Sequence, residues 1–250
     1  YQGLQYVVVD GGSDDGSVDI IREYEEQLDW WVTEEDDGQS HAINKGLERA
    51  NGELFCWVNS DDVLFPGSVR AAVERYLERD RPDIIHAWGA RIDSEGGVTK
   101  LAQLKPLSRA WFFRGVYDLR PPALFYNTAL VKKVGGVDTR LHLAMDVDLW
   151  VKMVQVGATF GMMERYGGGY RWHDASKTVN RIRTKRPNPE STRLFREAGF
   201  PGPRQRRFWD IVWRVRSRSS RLRYLYSHLD TRRAKGRHWQ TVFGDEDTVQ

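Results

Sequence analysis

The sequence predicts an α/β protein whose mainly parallel sheet is flanked by helices, with a basic helical extension at its C-terminal end. Three observations predict it. Short apolar runs of strand length alternate with segments of helical periodicity through the first half of the chain. Two of those runs end on acidic turns, VVVDGGSDDGS and WVNSDD. Charge divides sharply: residues 1–180 hold 20 Lys and Arg against 28 Asp and Glu, whereas residues 181–237 hold 18 against 4. An acidic body and a basic tail are different physical objects, which puts the domain division at 1–180 and 181–250.

Each element follows in order. Residues 4–9 form a continuous, valine-rich run, the pattern of a strand buried on both faces. Ile20, Ile21 and Tyr24 predict a helix over 17–28, and 30–33 a second strand. Ala42, Ile43, Leu47 and Ala50 share one helical stripe over 39–50, and a third strand at 54–58 runs into NSDD. Pro66 opens a helix carried by Val69, Val73 and Tyr76. Residues 84–88 are a further strand, followed by a hairpin across SEGG. Beyond 101 the pattern loosens, and Pro121 and Pro122 break any helix there. ALVKKVGGVD reads as a short helix stopped at Gly135, and 147–156 as a helix directly after AMD. Residues 157–178 read as a strand and loop, and RPNPES, 186–191, as a linker.

Composition excludes several classes. A chain of 250 residues with 40% hydrophobic content suits one large domain, or a domain with an appendage. The single cysteine, Cys56, excludes an internal disulfide framework and fits a reducing compartment. No apolar run approaches the ~20 residues that span a bilayer, and no secretory signal pattern opens the sequence. Neither G-x-G-x-x-G nor G-x-x-x-x-G-K-[ST] occurs, which removes the dinucleotide and P-loop readings.

In open α/β sheets, ligands bind beyond the carboxyl ends of the strands. Asp10 and the pair Asp61 and Asp62 each follow a predicted strand, so three acids are expected at that edge. Converging acids repel unless a cation or a donor-rich ligand lies between them, and a hard divalent ion with oxygen ligands answers that need. Gly11, Gly12 and Gly16 let the first turn approach a ligand closely. An acidic turn that merely caps the next helix is the plainer alternative.

Taken in order, VVVDGGSDDGSVDII, EEDDGQSHAINKGLERANGE, WVNSDD, PPALFYNTALVKKVGGVD, AMDVDLWVKM and RWHDASKT resemble the family 2 glycosyltransferases, which have the GT-A fold and use nucleotide-sugar donors. The resemblance covers roughly residues 4–178. It implies that Asp10 contacts the nucleobase, with Gly12 and Asp15 in the same donor turn. It implies that NSDD is a variant DxD motif. Asn59 and Asp61 then meet the donor, and Asp61, Asp62 and His173 hold Mn2+ or Mg2+; which of the two aspartates ligates it directly is open. Asp146 matches the general base of an inverting transfer, with Asp148 as the runner-up; an N-cap role for Asp146 at the helix that follows is the plainer alternative and is compatible with it. Trp111, Phe112 and Phe113 read as a sugar-binding surface or a core cluster, and Gly135 and Gly136 as a donor frame or a helix stop.

The implied activity is transfer of a sugar, from a UDP-sugar by family frequency, to a saccharide or lipid-linked acceptor in polysaccharide or glycolipid synthesis. The implied location is the cytoplasm, peripheral to the inner face of the membrane. Family members begin with one more strand and helix, so a first strand is missing on this reading and the chain is expected to be poorly stable or weakly active. From a different class comes a non-catalytic nucleotide-sugar-binding or membrane-adaptor remnant. A nucleotidyltransferase is disfavoured for want of a Gly-rich loop with a basic signature.

The tail has three readings. Residues 204–229 place Phe208, Ile211, Val212, Val215, Leu222 and Leu225 at helical spacing among arginines, the pattern of a helix lying on an anionic membrane surface. The same stripe suits packing on the body. Nucleic acid is disfavoured because no recognised motif accompanies the arginines.

Overall fold

The computed structural model describes residues 1–117, 119, 121–174, 176, 188–216 and 219–244, apart from the side chains of 203, 214–216 and 219–226. The chain runs β1 (Val7–Asp10), α1 (Ser17–Glu23), β2 (Trp30–Thr33), α2 (Gln39–Arg49), β3 (Leu54–Phe55), β4 (Val63–Leu64), α3 (Ser68–Leu77), β5 (Ile84–Ile92) and β6 (Val98–Ala102). It continues through α4 (Arg109–Phe113), β7 (Leu124–Asn127), α5 (Thr128–Lys133), α6 (Met145–Gln155) and β8 (Phe160–Arg171). Four helices follow: α7 (Pro189–Glu197), α8 (Pro203–Arg216), α9 (Ser219–Ala234) and α10 (Trp239–Phe243).

β1 and β2 pair in parallel as a small sheet of their own. The larger, curled sheet has the order β3-β7-β5-β8-β4, with β6 on β5. The α/β class holds, but the sheet is mixed rather than mainly parallel. β5 runs parallel to β8 yet antiparallel to β6 and β7, and β3 and β4 are antiparallel to their neighbours. The cause is connection length: the SEGG turn returns the chain at once, and a tight return makes an antiparallel pair.

Helices cover both faces of the larger sheet. On one face Leu149, Met153 and Val154 of α6 pack with Tyr126 and Ile84. On the other, Ala72 and Tyr76 of α3 pack with Ile85, Ala87 and Phe125. Phe112 is fully buried in the first of these clusters, with Phe113 packed against it, so core packing accounts for these two, while Trp111 is half-buried against Trp213. Gly135 and Gly136 both have positive φ, and their N–H groups bond Lys132 and Val131 carbonyls, which closes α5 as a helix stop.

Glycines shape β8. A Cβ at Gly167 would lie 2.5 Å from Ala87 Cβ, and one at Gly168 would lie 2.9 Å from the Val63 carbonyl oxygen. The GGG run is therefore strand interior that lets β4, β5 and β7 close in, not the loop its composition suggests.

The first strand departs from its prediction. Val7, Val8 and Val9 are only half-buried, and Leu4 and Tyr6 are exposed. Among the described residues, one edge of β1 and one edge of β3 have no strand partner. Both line an apolar slot with Ile21 and Val73, part of a cleft of about 2240 Å³.

The tail packs on the body where it is described. Asn188 caps α7 by accepting from the N–H groups of Glu190 and Ser191, so this end of RPNPES is anchored structure; Arg186 and Pro187 lie outside the described residues. Phe195 and Phe200 join the main core. The described residues of 204–229 belong to α8 and α9, and 217 and 218 lie outside the described residues. α9 is fixed to β6 by Ser227 Oγ, which donates to the Leu101 carbonyl, and by Thr231 Oγ1, which accepts from the Leu101 N–H. Val215, Leu222 and Leu225 lie outside the described side chains. Among the described residues, no helix is long and apolar enough to cross a membrane.

Candidate active site

Asp10, Asn59, Asp61, Asp62, Asp146 and His173 are all on the lining of this cleft. Gly12, Asp15 and Asp148 are not part of that lining. Each group has a distinct local reason for its position.

Asp10 ends β1 in register with Thr33 of β2. Its Oδ2 accepts from the Gly12 N–H (3.0 Å), the Ser13 N–H (2.9 Å) and the Thr33 hydroxyl (2.6 Å), and its Oδ1 accepts from the Ser13 hydroxyl (2.6 Å). Burial by itself raises this carboxyl, but those hydrogen bonds overcome it and bring the pKa down to about 2. Three donors meet Oδ2 and one meets Oδ1, so Asp10 organises the turn while Oδ1 keeps a further acceptor position. Gly12 belongs to the same construction, with φ +87° and its N–H spent on Asp10. Asp15 accepts from the Ser17 N–H and hydroxyl, which starts α1 and lowers its pKa, and it stands exposed.

The NSDD turn splits its two acids. Asp62 is 7% exposed; its Oδ1 accepts from the Arg171 N–H (2.9 Å) and its Oδ2 from Asn59 Nδ2 (3.0 Å). Asn59 Oδ1 in turn accepts from Gln39 Nε2 of α2. The Arg171 side chain secures the same turn from β8, donating to the carbonyls of Asp61, Asp93 and Ser94. Asp61, by contrast, is partly exposed, and its Oδ2 lies 2.9 Å from His173 Nε2. All three expected metal ligands are on the cleft lining: Asp62 from a buried position with one donor on each oxygen, Asp61 and His173 more exposed and paired with each other.

Burial pushes the Asp62 carboxyl up to about 6 from its ordinary 3.8; the neighbouring Asp61 charge adds to this, and the bonds from Arg171 and Asn59 oppose it. Between about pH 4 and pH 6 the folded chain holds a proton that the unfolded chain has released. Stability therefore falls as pH rises through that window. In EDTA the melting temperature of the chain should drop from pH 5 to pH 7, and Asp62→Asn should remove that step. A step of equal size in Asp62→Asn assigns the proton elsewhere.

Asp146 sits in the first turn of α6, with Oδ1 accepting from the Val147 N–H (2.7 Å). The N-cap is Ala144, not Asp146, because the helix starts at Met145, earlier than the sequence pattern suggested. The positive end of the helix favours a carboxylate there. Burial keeps the Tyr117 and Tyr126 phenols protonated, and the Asp146 charge adds to that effect. Asp148 lies two residues on and points elsewhere: it is buried and pairs with Lys152 Nζ at 2.6 Å. That ion pair holds Asp148 within its own helix, off the cleft lining.

The loop before Asp146 is held from two sides. From α2, Asn44 exchanges two hydrogen bonds with the Val137 backbone (2.9 and 3.1 Å), and Ser40 donates to the Leu141 carbonyl. From α7, Glu190 accepts from the N–H groups of His142 (3.1 Å) and Leu143 (2.8 Å). Thr33, Gln39, Arg171 and Glu190 escaped the sequence reading. Only Thr33 left a signal, as a hydroxyl at the end of a strand neighbouring the one that ends in Asp10. Cys56 is chemically quiet, since burial pushes its thiol up to about 12.

A curled mixed sheet with helices on both faces, and a cleft lined by acids from several segments, belong to a GT-A fold, as the solved structures below show. Residues 1–131 match Glycosyl transferase family 2. The chain belongs to that family. An uncharacterized glycosyltransferase of Mycobacterium tuberculosis is 29% identical over 157 residues, covering 62% of this chain and 60% of the relative. One of Rickettsia typhi is 26% identical over 170 residues, covering 64% and 52%. The chain thus spans under two thirds of the length of these relatives. Among solved structures, TarS 1–349 of S. aureus in complex with UDP-GlcNAc has TM-score 0.60 at 18% identity, covering 78% of this chain and 55% of that one. The mannosyltransferase PcManGT of Pyrobaculum calidifontis, in complex with GDP-Man and Mn2+, has TM-score 0.52 at 19% identity, covering 72% and 51%. At such identities the likeness shows the fold.

Proposed function

We propose that the chain binds a nucleotide-sugar in the cleft and transfers its sugar, with inversion, to a hydroxyl of a saccharide or lipid-linked acceptor. The observation that carries this reading is that the Asp61–His173 pair and Asp146 line one cleft although they come from distant parts of the chain. The neighbours' bound UDP-GlcNAc, UDP and GDP-Man support a nucleoside diphosphate donor. UDP is favoured, and the product class is a polysaccharide or glycolipid.

Asp10, with Ser13 and Thr33, fixes the turn against which the nucleoside rests. Asp146 accepts the proton of the attacking hydroxyl as the new bond forms, on the side of the sugar away from the diphosphate. The clamps from Asn44 and Glu190 hold the preceding loop, which sets where the acceptor enters. A divalent ion fits this donor set: no cluster of three or more His, Cys, Asp or Glu is found among the described residues, yet Mg2+ or Mn2+ needs only one or two protein ligands when diphosphate and water complete its shell. Asp61 and His173 would hold it. When bound it offsets the charge that develops on the leaving diphosphate.

Release of nucleoside diphosphate from a panel of nucleotide-sugars, in Mn2+ or Mg2+ against EDTA, tests this reading. Turnover of none of them in either metal overturns it. We further assign the slot between β1 and β3 to the extra strand and helix that the family resemblance implies. Supplying such a unit by fusion should raise the melting temperature, because it pairs both free edges and covers apolar surface. An unchanged melting temperature removes that assignment.

A further inference from the structure

α8 has two unlike faces. Arg206, Trp209 and Trp213, at i, i+3 and i+7, meet the body. The Arg206 guanidinium lies 4.3 Å from the Phe195 ring centre, Arg114 lies 4.9 Å from Trp209, and Trp213 meets Lys105 and Trp111. The opposite face carries Arg204, Arg207, Phe208 and Ile211, at i, i+3, i+4 and i+7. Phe208 is 58% exposed and Ile211 53%, and Arg204 and Arg207 are exposed beside them.

Trp209 and Trp213 already supply the apolar contact that fixes α8 to the body. A helix that merely finished the fold would carry polar residues on its other face, yet here two large apolar side chains face out between exposed arginines. Apolar residues at the centre, with arginines beside them, suit the boundary between headgroups and acyl chains, where rings and alkyl groups insert and guanidinium groups meet phosphates. Charge complementarity selects the partner: 181–237 carries 18 basic against 4 acidic residues, and Asp210, the one acid in the helix, falls off this spacing. Ile211 would serve no purpose on a nucleic-acid backbone.

We propose that α8 docks the protein on an anionic lipid surface through the face formed by Arg204, Arg207, Phe208 and Ile211. The docking face is confined to α8, since the end of α9 is committed to β6. The inference is independent of the transferase reading, because its readout is partitioning and not turnover.

Flotation of the 250-residue chain with phosphatidylglycerol-containing vesicles, against vesicles of phosphatidylcholine alone, tests it. The chain should float with the anionic vesicles and not the neutral ones, and added NaCl should weaken the association. Phe208→Ser with Ile211→Ser should lower the bound-to-free ratio at least tenfold, and Arg204→Ala with Arg207→Ala should do the same. Both pairs are exposed, so an unchanged melting temperature certifies the fold. Failure of the chain to float, equal flotation of the variants, or equal binding to neutral vesicles would overturn the proposal. So would a concentration-dependent dimer, or binding to RNA, that the Phe208 and Ile211 changes abolish while vesicle binding persists.

Discussion

Asp146→Asn should reduce sugar transfer by about 10²–10⁴-fold, the usual contribution of a positioned general base, while affinity for a nucleoside diphosphate stays unchanged. The geometry behind this is specific. Asp146 lies on the cleft at the start of α6, and the loop leading to it is clamped by Asn44 on one side and Glu190 on the other. Asparagine keeps the size and can still accept from the Val147 N–H, so the helix start survives and only proton acceptance is lost. Asp148→Asn provides the control. That residue is buried against Lys152, and its replacement should destabilise the chain without a selective loss of transfer. Loss of nucleotide affinity in Asp146→Asn would move Asp146 from the acceptor side to the donor side. Transfer slowed mainly in Asp148→Asn would exchange the two roles.

Asp61→Asn should weaken Mn2+-dependent binding of a nucleoside diphosphate by at least about 10–100-fold, the range that loss of even a supporting group around a metal typically costs. His173→Ala should follow it, since the two side chains meet at 2.9 Å and act as one donor pair. Asp62→Asn should weaken the Mn2+ response less than Asp61→Asn, because its carboxylate is buried and already accepts from Arg171 and Asn59. The contrast separates neighbours that sequence alone treats as equivalent. An Asp62 variant that loses the Mn2+ response while Asp61→Asn retains it would assign the ion to the inward acid.

Particular residues show what could be read ahead of the structure. The strand ending at Asp10 and the helix after Gly38 were legible, because apolar periodicity and turn residues are local signals, whereas the strand expected over 54–58 stops at Phe55. The acids were legible as candidates, although β1 and β3 lie in different sheets and do not share one sheet edge. Their roles were not. How far Asp62 is committed to the fold depends on Arg171 of β8, more than a hundred residues away, and how far Asp10 is committed depends on Thr33 across a strand pair. The glycine run at 167–169 misled for a related reason. Glycine composition signals a loop, whereas here the absent side chains admit Ala87, Val63 and Ala123. The direction of α8 was likewise hidden: the spacing revealed an amphipathic helix, and only the packing of Arg206 and Trp213 showed which face is turned to water.

Calorimetric titration of the chain with a panel of nucleoside diphosphates, in Mn2+ and again in EDTA, tests the central claim most directly. We expect saturable binding of one of them, UDP foremost, that requires the metal and is lost in Asp61→Asn. Absence of binding across the whole panel in Mn2+, or binding that is the same in EDTA and in Asp61→Asn, would contradict it.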